Sequence, residues 1–260
     1  MSLNEKKINS LLGDLSKDLQ LLVYKTIDST NTAAKRLGDS RLAKRAVLIA
    51  SEQTGGRGRL GRSFSSNKGK GIYMSILLGE EMPAEFATAL TTYMAVIASE
   101  AIDALSGLKT SIKWVNDIYS GEKKLAGILT EGKAAEGGSS LAYAVVGIGI
   151  NLYKQDFPED VRSIATTLED ECGRRIDTNE LAALIIKKFF DSLHLAGTAE
   201  LAEKYRERSF LIGERVTVIK PTAAYEATVT GITNKCELVL ALNDGSVEVL
   251  STGEVSVRKL

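Results

Sequence analysis

Short apolar runs alternate with longer amphipathic stretches over the first two hundred residues, and their spacing predicts a domain that mixes helices and strands. Pro83 is expected in the first turn of one helix, and Gly38 is expected just after the end of another. The predicted helices cover residues 4–20, 32–37, 84–107 and 177–195. The predicted strands cover residues 21–24, 46–50, 72–78, 111–119, 124–131 and 142–152.

The pattern changes after about Phe210, where the apolar runs become shorter and more closely spaced. Asn243, Asp244 and Gly245 form a sequence that is typical of a tight hairpin turn between two of these runs. Several short strands in so few residues favour a small barrel. We therefore expect two domains, at residues 1–210 and 211–260. The predicted strands of the second domain cover residues 215–219, 227–233, 237–242, 246–250 and 254–258.

The segment Gln53–Phe64, which we call the arginine loop, contains four glycines and three arginines. Glycine allows close approach of the backbone to a ligand, and the arginine guanidinium suits phosphate or carboxylate. Gly56, Gly58 and Gly61 match the dinucleotide pattern G-x-G-x-x-G, but that pattern needs a helix directly after it, and here a polar loop leads to a strand. The composition predicts an anion-binding loop that is mobile when empty. A solvated basic turn without function is the alternative.

Two other polar segments adjoin predicted elements. Residues 28–31, Asp-Ser-Thr-Asn, precede a helix, so they can cap it, and their spare hydroxyl and amide groups at a positive helix end also suit a polar ligand. Residues 113–118 have the pattern of a strand but carry Asn116 next to Asp117, which would place the two side chains on opposite faces. At least one should face a ligand or a polar network, because burial without a partner is costly. Asp117 is a candidate Mg²⁺ ligand, and an exposed edge position is the alternative.

One lysine and several glycines complete the set of candidate residues. Lys124 opens an otherwise apolar strand with Gly127 three residues later, which can place an ammonium group over the floor of a pocket. A solvated lysine beside a hairpin turn is the alternative. Gly147 and Gly149 lie in the last strand of the first domain, where they allow a ligand to approach the backbone closely.

Composition narrows the possible chemistry. Hydrophobic residues make up 44% and charged residues 25%, which favours a packed core, and 33 basic residues balance 33 acidic ones, which argues against a dedicated nucleic-acid domain. The single histidine, His194, cannot by itself form a histidine metal cage or a Ser-His-Asp triad. Cys172 and Cys236 are expected to be free thiols. No signal peptide or membrane-spanning run is apparent, so we expect a cytoplasmic protein without a membrane partner.

The motifs occur in a characteristic order. D-S-T-N at 28–31 is followed by G-R-G-R-L-G-R at 56–62, K-W-V-N-D-I at 113–118, K-L-A-G-I-L at 124–129 and G-I-G-I-N at 147–151. This set resembles the biotin protein ligase family, from about Ile8 to the end of the chain. The resemblance implies an α+β fold in which a mixed β-sheet backed by helices, similar to class II aminoacyl-tRNA synthetases, is followed by a small SH3-like β-barrel. Residues 253–258 look like the closing motif of that barrel.

The resemblance also implies a reaction. Biotin would be activated with ATP to biotinyl-5′-AMP, and the biotinyl group would pass to a lysine of a biotin carboxyl carrier domain, with Mg²⁺ accompanying ATP. Lys124, Arg57 and Arg59 would be catalytic. The residues implied for biotin are Ser29, Thr30, Asn31, Gln53, Arg57, Gly58, Arg59, Lys124, Gly127, Gly147 and Gly149. Those implied for ATP or the adenylate are Arg59, Arg62, Phe64, Asn116, Asp117, Lys124 and Asn151, with Asp117 facing the metal.

The chain departs from the family pattern at two positions, where Val115 replaces a common proline and Phe64 a common tryptophan. No adenine-stacking residue can be assigned, because residues 163–166 contain no aromatic side chain. Few residues precede the first predicted strand, so we expect a single-function ligase that lacks an N-terminal winged-helix repressor domain and binds no nucleic acid. Relatives suggest a homodimer. The alternatives are a lipoate or octanoate ligase or transferase of the same superfamily, or a non-catalytic carrier-binding protein.

Overall fold

The computed structural model describes residues 3–220, 223–251 and 256–259, and within them the chain forms seven α-helices, an eight-stranded sheet and a five-stranded sheet. The helices are α1 Glu5–Leu12, α2 Thr30–Ser40, α3 Phe86–Ser106, α4 Glu159–Arg162, α5 Leu168–Cys172, α6 Thr178–Asp191 and α7 Ala199–Arg208. The first sheet contains β1 Gln20–Tyr24, β2 Arg45–Ala50, β3 Gly71–Leu78, β4 Met82–Pro83, β5 Ser111–Lys113, β6 Asp117–Ser120, β7 Lys123–Ala134 and β8 Ser140–Asn151. The second contains β9 Arg215–Lys220, β10 Ala223–Ile232, β11 Leu238–Leu242, β12 Val247–Leu250 and β13 Ser256–Lys259.

The first sheet is mixed and backed by helices, as predicted, and the helices lie on both of its faces. Its strands lie in the order β1-β2-β3-β8-β7-β6-β5, with β1 parallel to β2 and the following pairs antiparallel. Along β2, Val47 and Ile49 belong to the large core cluster with α3, whereas Ala46 and Leu48 belong to a smaller cluster with α2. This alternation separates the two faces of the sheet. The face with α2 is the face on which the candidate site lies.

The predicted strand over 111–119 is wrong in one respect. It is two short antiparallel strands, β5 and β6, joined by a turn at residues 114–116 that contains a cis peptide between Trp114 and Val115. Ile112 and Ile118 are fully buried on the core side, so the apolar spacing was real. The turn ends at Asn116, so the strand is interrupted directly before Asp117.

Other local predictions also need correction. Gly38 does not end a helix but lies inside α2, where a Cβ atom would come within 2.8 Å of the Tyr143 ring, so the glycine is needed for packing. The first helix ends at Leu12, since Gly13 adopts a positive φ of 62° and a short 3₁₀ turn follows. Pro83 belongs to β4, which pairs with β8, and α3 begins after it at Phe86. Helices α4, α5 and α7 were not predicted.

The second sheet follows the helices of the first part, in the order β12-β11-β10-β9-β13. Residues 252–255 lie outside the described residues, so part of the predicted strand at 254–258 and of the closing motif at 253–258 has no described structure. The boundary near Leu211 stays a prediction, because buried residues of both sheets belong to one continuous cluster. In the described part of the chain, we find no helix with the length and apolar character needed to cross a membrane.

Candidate active site

The floor of the site is a row of residues across four strands of the first sheet. The strand registers place Lys113 opposite Asp117, Asp117 opposite Gly127 and Gly127 opposite Gly149. Directly opposed residues in a sheet share a face, so these side chains point to the same side. Because two of the four positions are glycine, these two positions place no side chain in the space between Asp117 and β3.

Other side chains of the protein pack directly against the two glycines of β8, Gly147 and Gly149. A Cβ atom on Gly147 would lie 2.0 Å from Asn31 Oδ1, and one on Gly149 would lie 2.5 Å from the Phe64 ring. Such distances are far inside van der Waals contact, so neither position accepts a side chain without displacing its neighbour. The glycines thus allow α2 and the arginine loop to rest directly on the sheet.

The arginine loop folds back on itself as a compact hairpin. Phe64 N donates to Gly56 O at 3.0 Å and Gly58 N donates to Arg62 O at 2.7 Å, with a 3₁₀ turn over Arg59–Gly61 between them. No helix opens after the loop; the chain continues into β3. The exclusion of a dinucleotide turn is therefore correct. Whether the loop is mobile when empty stays a prediction.

Two arginines of the loop reach across the cavity in different directions. Arg57 Nη2 donates to Glu131 Oε1 at 2.5 Å, and Arg59 Nη1 donates to Asn116 Oδ1 at 3.0 Å. Burial lowers the pKa of the Arg59 guanidinium, but a group with so high an ordinary value remains charged at neutral pH. The loop is thus tied to the sheet at two points by permanent cations.

Asn116 is the centre of the charged end of the cavity. Its Nδ2 donates to Asp117 Oδ1 at 3.0 Å and to Ile128 O at 2.9 Å. Lys124 Nζ lies 2.7 Å from the same Asp117 oxygen. The expectation that Asn116 and Asp117 face opposite sides is wrong, because Asn116 lies in the turn before β6 rather than within a strand. Two donors therefore converge on one carboxylate oxygen.

The opposite end of the cavity is lined mainly by neutral hydrogen-bonding groups. Ser29 caps α2 by accepting from Thr32 N at 3.4 Å, so the capping interpretation is correct. Thr30 N donates to Gln53 Oε1 at 2.8 Å. Asn31 Nδ2 donates to Leu129 O at 3.1 Å. The same residues line the cavity, so capping and exposure to a ligand occur together.

Glu131 and Ser75 belong to this network but were not singled out from the sequence. Glu131 Oε1 accepts from Lys35 Nζ at 2.7 Å, besides Arg57, and Oε2 accepts from Asn31 Nδ2 at 3.0 Å. Burial would raise the pKa of Glu131, but the hydrogen bonds from Lys35 and Asn31 and the nearby positive charges lower it overall. Ser75 is fully buried in the apolar strand β3. A lone polar residue in such a strand is the signal that could have identified it.

One cavity of about 1250 Å³ collects every residue that the resemblance implies for biotin, ATP or catalysis. These residues come from separate segments between positions 29 and 151, so the folded chain brings them together, although their contacts with ligands stay predictions. The predicted residues on the cavity wall are Ser29, Thr30, Asn31, Gln53, Arg57, Gly58, Arg59, Arg62, Phe64, Asn116, Asp117, Lys124, Gly127, Gly147, Gly149 and Asn151. Side chains that line it without having been predicted include Lys113, Trp114, Tyr119, Phe157, Ile164 and Phe210.

Asp117, the candidate Mg²⁺ ligand, shares one of its carboxylate oxygens with two donors of the chain. Its Oδ1 atom already accepts from Lys124 and Asn116. Among the described residues, no group of three or more His, Cys, Asp or Glu side chains is arranged to hold a metal ion. Magnesium is usually bound through one or two carboxylates together with substrate phosphates and water. An ion that accompanies ATP would therefore belong to the substrate.

Two segments of the chain match known protein families. Residues 23–151 match the Biotin/lipoate A/B protein ligase family, and residues 211–258 match the Biotin protein ligase C terminal domain. The first match spans the arginine loop, the charged end and the glycine-bearing strand of the cavity. The two matches together place the fold among protein ligases for biotin and lipoate.

Individual relatives narrow this class. The Bifunctional ligase/repressor BirA of Escherichia coli (strain K12) is 31% identical over 260 residues, which cover 98% of this chain and 78% of that protein. The Biotin--[acetyl-CoA-carboxylase] ligase of Mycobacterium tuberculosis is 32% identical over 227 residues, or 84% of this chain and 82% of that protein. A structure of the biotin protein ligase from Aquifex aeolicus in complex with biotin and ATP has a TM-score of 0.79 and 30% identity, covering 93% of this chain and 99% of that one. The chain belongs to the biotin protein ligase family.

Proposed function

We propose that this protein is an ATP-dependent biotin–protein ligase, which forms biotinyl-5′-AMP and transfers biotin to a lysine of a carrier domain. The observation that carries the proposal is the single cavity in which all residues implied for both substrates meet. The similar Aquifex aeolicus structure holds biotin and ATP. A neutral hydrogen-bonding end suits the polar ring of biotin, and a cationic end suits its carboxylate and the phosphates.

In the first step, a carboxylate oxygen of biotin attacks the α-phosphorus of ATP. The bond from that phosphorus to the oxygen of the β-phosphate breaks, and pyrophosphate leaves. Negative charge grows on the α-phosphate, where Lys124, Arg57 and Arg59 supply fixed positive charge. Lys124 Nζ lies 2.7 Å from Asp117 Oδ1, so it can exchange this partner for the substrates within the reach of one side chain.

In the second step, the amine of the carrier lysine attacks the carbonyl carbon of the mixed anhydride. The bond from this carbon to the phosphate oxygen breaks, AMP leaves, and the amine loses a proton. Water would destroy the anhydride if it reached the site first, so the intermediate must be covered. The arginine loop lies over the strand that carries Gly149, and we assign it the role of this cover.

The finer assignments are also proposals. Asp117 is our proposed protein oxygen for a magnesium ion bound to ATP. We propose that the carrier is the biotin carboxyl carrier domain of a biotin-dependent carboxylase, in keeping with the name of the Mycobacterium tuberculosis relative. We further propose a cytoplasmic homodimer, and domains at 1–210 and 211–260. Sedimentation of the purified protein with and without biotin and ATP tests the dimer.

ATP–pyrophosphate exchange tests the adenylation step. The purified protein is assayed separately with biotin, lipoate, octanoate and no acid, and we expect exchange with biotin only. Mass spectrometry should then detect one added biotinyl group on a carrier domain. Exchange with lipoate in place of biotin would move the chain to the lipoate ligases. Biotin binding without exchange would favour the non-catalytic carrier-binding alternative.

A further inference from the structure

The amide of Asn31 is fixed in one orientation by its partners. An asparagine side chain has two N–H donors and two acceptor positions on its oxygen. Nδ2 donates to Leu129 O at 3.1 Å and to Glu131 Oε2 at 3.0 Å, and both of these atoms can only accept from it. Oδ1 lies 2.6 Å from Ser75 Oγ. Rotating the amide by half a turn would place oxygen against oxygen at two contacts.

Ser75, on strand β3, is the partner of the Asn31 oxygen. Its hydroxyl is fully buried, 2.6 Å from Asn31 Oδ1 and 2.7 Å from Thr30 Oγ1. A hydroxyl has one proton to donate, and Asn31 Oδ1 is an acceptor without a proton of its own. Ser75 therefore gives its proton to Asn31 and can only accept from Thr30, whose hydroxyl also lies 3.1 Å from Gln53 Oε1. The direction of these hydrogen bonds is fixed by Asn31 Oδ1, because this oxygen can only accept.

One acceptor position of Asn31 is left for a ligand. Within the described residues, the hydrogen bonds of Asn31 use both donors and one acceptor position, and the side chain lines the cavity. Gly147 provides the space that lets Oδ1 rest on the sheet, since a Cβ there would lie 2.0 Å from it. A group that meets this position must donate a hydrogen bond, because another acceptor would face a buried oxygen.

We propose that Ser75 is a positioning residue for ligand choice: together with Glu131 it holds Asn31 Oδ1 as a fixed acceptor that selects a ring N–H donor. The inference rests on the proposed function, in which the acid is biotin and its cyclic urea supplies that N–H. Octanoate and lipoate carry no such donor on their chain or dithiolane ring. A site built around a specific hydrogen bond rejects analogues that lack the group, because its own polar atom is then left unpaired.

The test compares Ser75→Ala with Ser99→Ala in the full chain. Ser99 is also a fully buried serine, in α3, and its Oγ atom has no hydrogen-bond partner among the described residues, so it is a matched control. In ATP–pyrophosphate exchange, we expect Ser75→Ala to raise KM for biotin by about threefold to tenfold, the range of one net hydrogen bond. KM for ATP should stay unchanged. Ser99→Ala should alter neither constant.

A second readout separates positioning from a general loss of packing. In Ser75→Ala, KM for biotin should rise while the octanoate concentration that half-inhibits biotin-dependent exchange, corrected for the biotin KM, stays constant; in Ser99→Ala both should remain constant. Ser75→Cys keeps a weaker hydrogen-bond donor of similar volume. Its KM for biotin should therefore lie between those of the parent protein and Ser75→Ala. If Ser75→Ala melts far below the parent protein, the Cys variant carries the test alone.

The outcomes distinguish this inference from the proposed function. No exchange with biotin by the parent protein would overturn the proposed function itself. Exchange by the parent protein with an unchanged biotin KM in both Ser75 variants would overturn the positioning role alone. Equal increases of KM for biotin and for ATP would also contradict it, because they would indicate damage to the whole cavity.

Discussion

The two ends of the cavity differ in how they are held. At the end around Asn31, the polar groups are buried, with Ser29, Thr30 and Asn31 at 3–5% exposure, and each is committed to neutral partners or to Glu131. At the end around Asp117, the central ion pair is more open, with side-chain exposures of 29% for Lys124 and 22% for Asp117. A buried network keeps one geometry, whereas partly solvated ions exchange partners at little cost. The first end suits recognition and the second suits charge that moves during a reaction.

The two ends also rest on different supports. The Asn31 end is built from α2, β3 and β7 of the first sheet. The turn that carries Asn116 is braced from behind, where Tyr205 donates through its hydroxyl to Val115 O at 3.1 Å and Trp114 Nε1 donates to Cys236 O at 2.8 Å. Cys236 lies in the segment between β10 and β11, so the turn at the charged end contacts a connection of the second sheet directly. Changes far from the cavity should therefore affect one end more than the other.

The largest effect is expected at the charged end from Lys124→Ala. Removing a fixed cation from the site of developing charge should lower the biotin-dependent exchange rate by roughly a hundredfold to a thousandfold. The melting temperature should change little, because a partly exposed ion pair adds about 1 kcal/mol or less. Lys123→Ala, at the exposed neighbouring position, is the control. A large loss of thermal stability with Lys124→Ala would instead support a structural role for the lysine.

The next largest effect is expected at the Asn31 end from Gly147→Ala. The added Cβ would lie 2.0 Å from Asn31 Oδ1, so the side chain must leave its place. We expect biotin affinity measured by calorimetry to fall by roughly thirtyfold or more, as several hydrogen bonds are lost together. Gly231→Ala in β10 is the control, since its Cβ would meet no atom within 4 Å. Unchanged biotin affinity in Gly147→Ala would contradict our placement of the ligand ring.

A smaller effect should separate the two supports. Tyr205→Phe removes one hydrogen bond to Val115 O and keeps the ring, so KM for ATP should rise by about twofold to tenfold while KM for biotin stays constant. Tyr93→Phe is the matched control, because its hydroxyl also donates to a buried backbone carbonyl, Phe189 O, at 2.6 Å. Both variants should lose similar thermal stability. If KM for ATP also rises in Tyr93→Phe, the effect comes from a general loss of core stability and not from the support of the turn by Tyr205.

The smallest effect concerns pH. Burial alone would raise the pKa of Glu131. The hydrogen bonds from Lys35 and Asn31 and the nearby positive charges outweigh burial, so the pKa is lowered in the folded protein. A carboxylate with a depressed pKa stabilises the fold above its unfolded pKa of about 4.3, and this contribution is lost as pH falls through the folded value. Glu131→Gln should therefore make the free energy of unfolding depend less on pH between about 5 and 3. Denaturant unfolding at several pH values measures this, and the exposed Glu136→Gln should leave the slope unchanged.

Much of the site could be predicted from the sequence because its residues carry chemistry that has few other uses. Glycines and arginines together in a loop that no helix follows indicate an anion-binding segment. Polar residues before α2 indicate a cap with spare groups. Ser75 and Glu131 were missed, since a single serine in an apolar strand and a glutamate near a strand end are common and acquire meaning only through their neighbours. Helix α7 was missed because most of its residues are charged.

The sequence by itself determined most of the strands, four of the seven helices in the described residues, the change of texture near Leu211 and the identity of the chemical groups, because these depend on residues that are close along the chain. The tertiary structure alone decided that Asp117 faces Lys124, that Asn31 rests on Gly147, and that Trp114 donates to Cys236 between β10 and β11. These contacts join residues that are several to more than a hundred positions apart. Strand register and side-chain packing set them, and a shift of one residue in the register of β6 would turn Asp117 to the other face of the sheet.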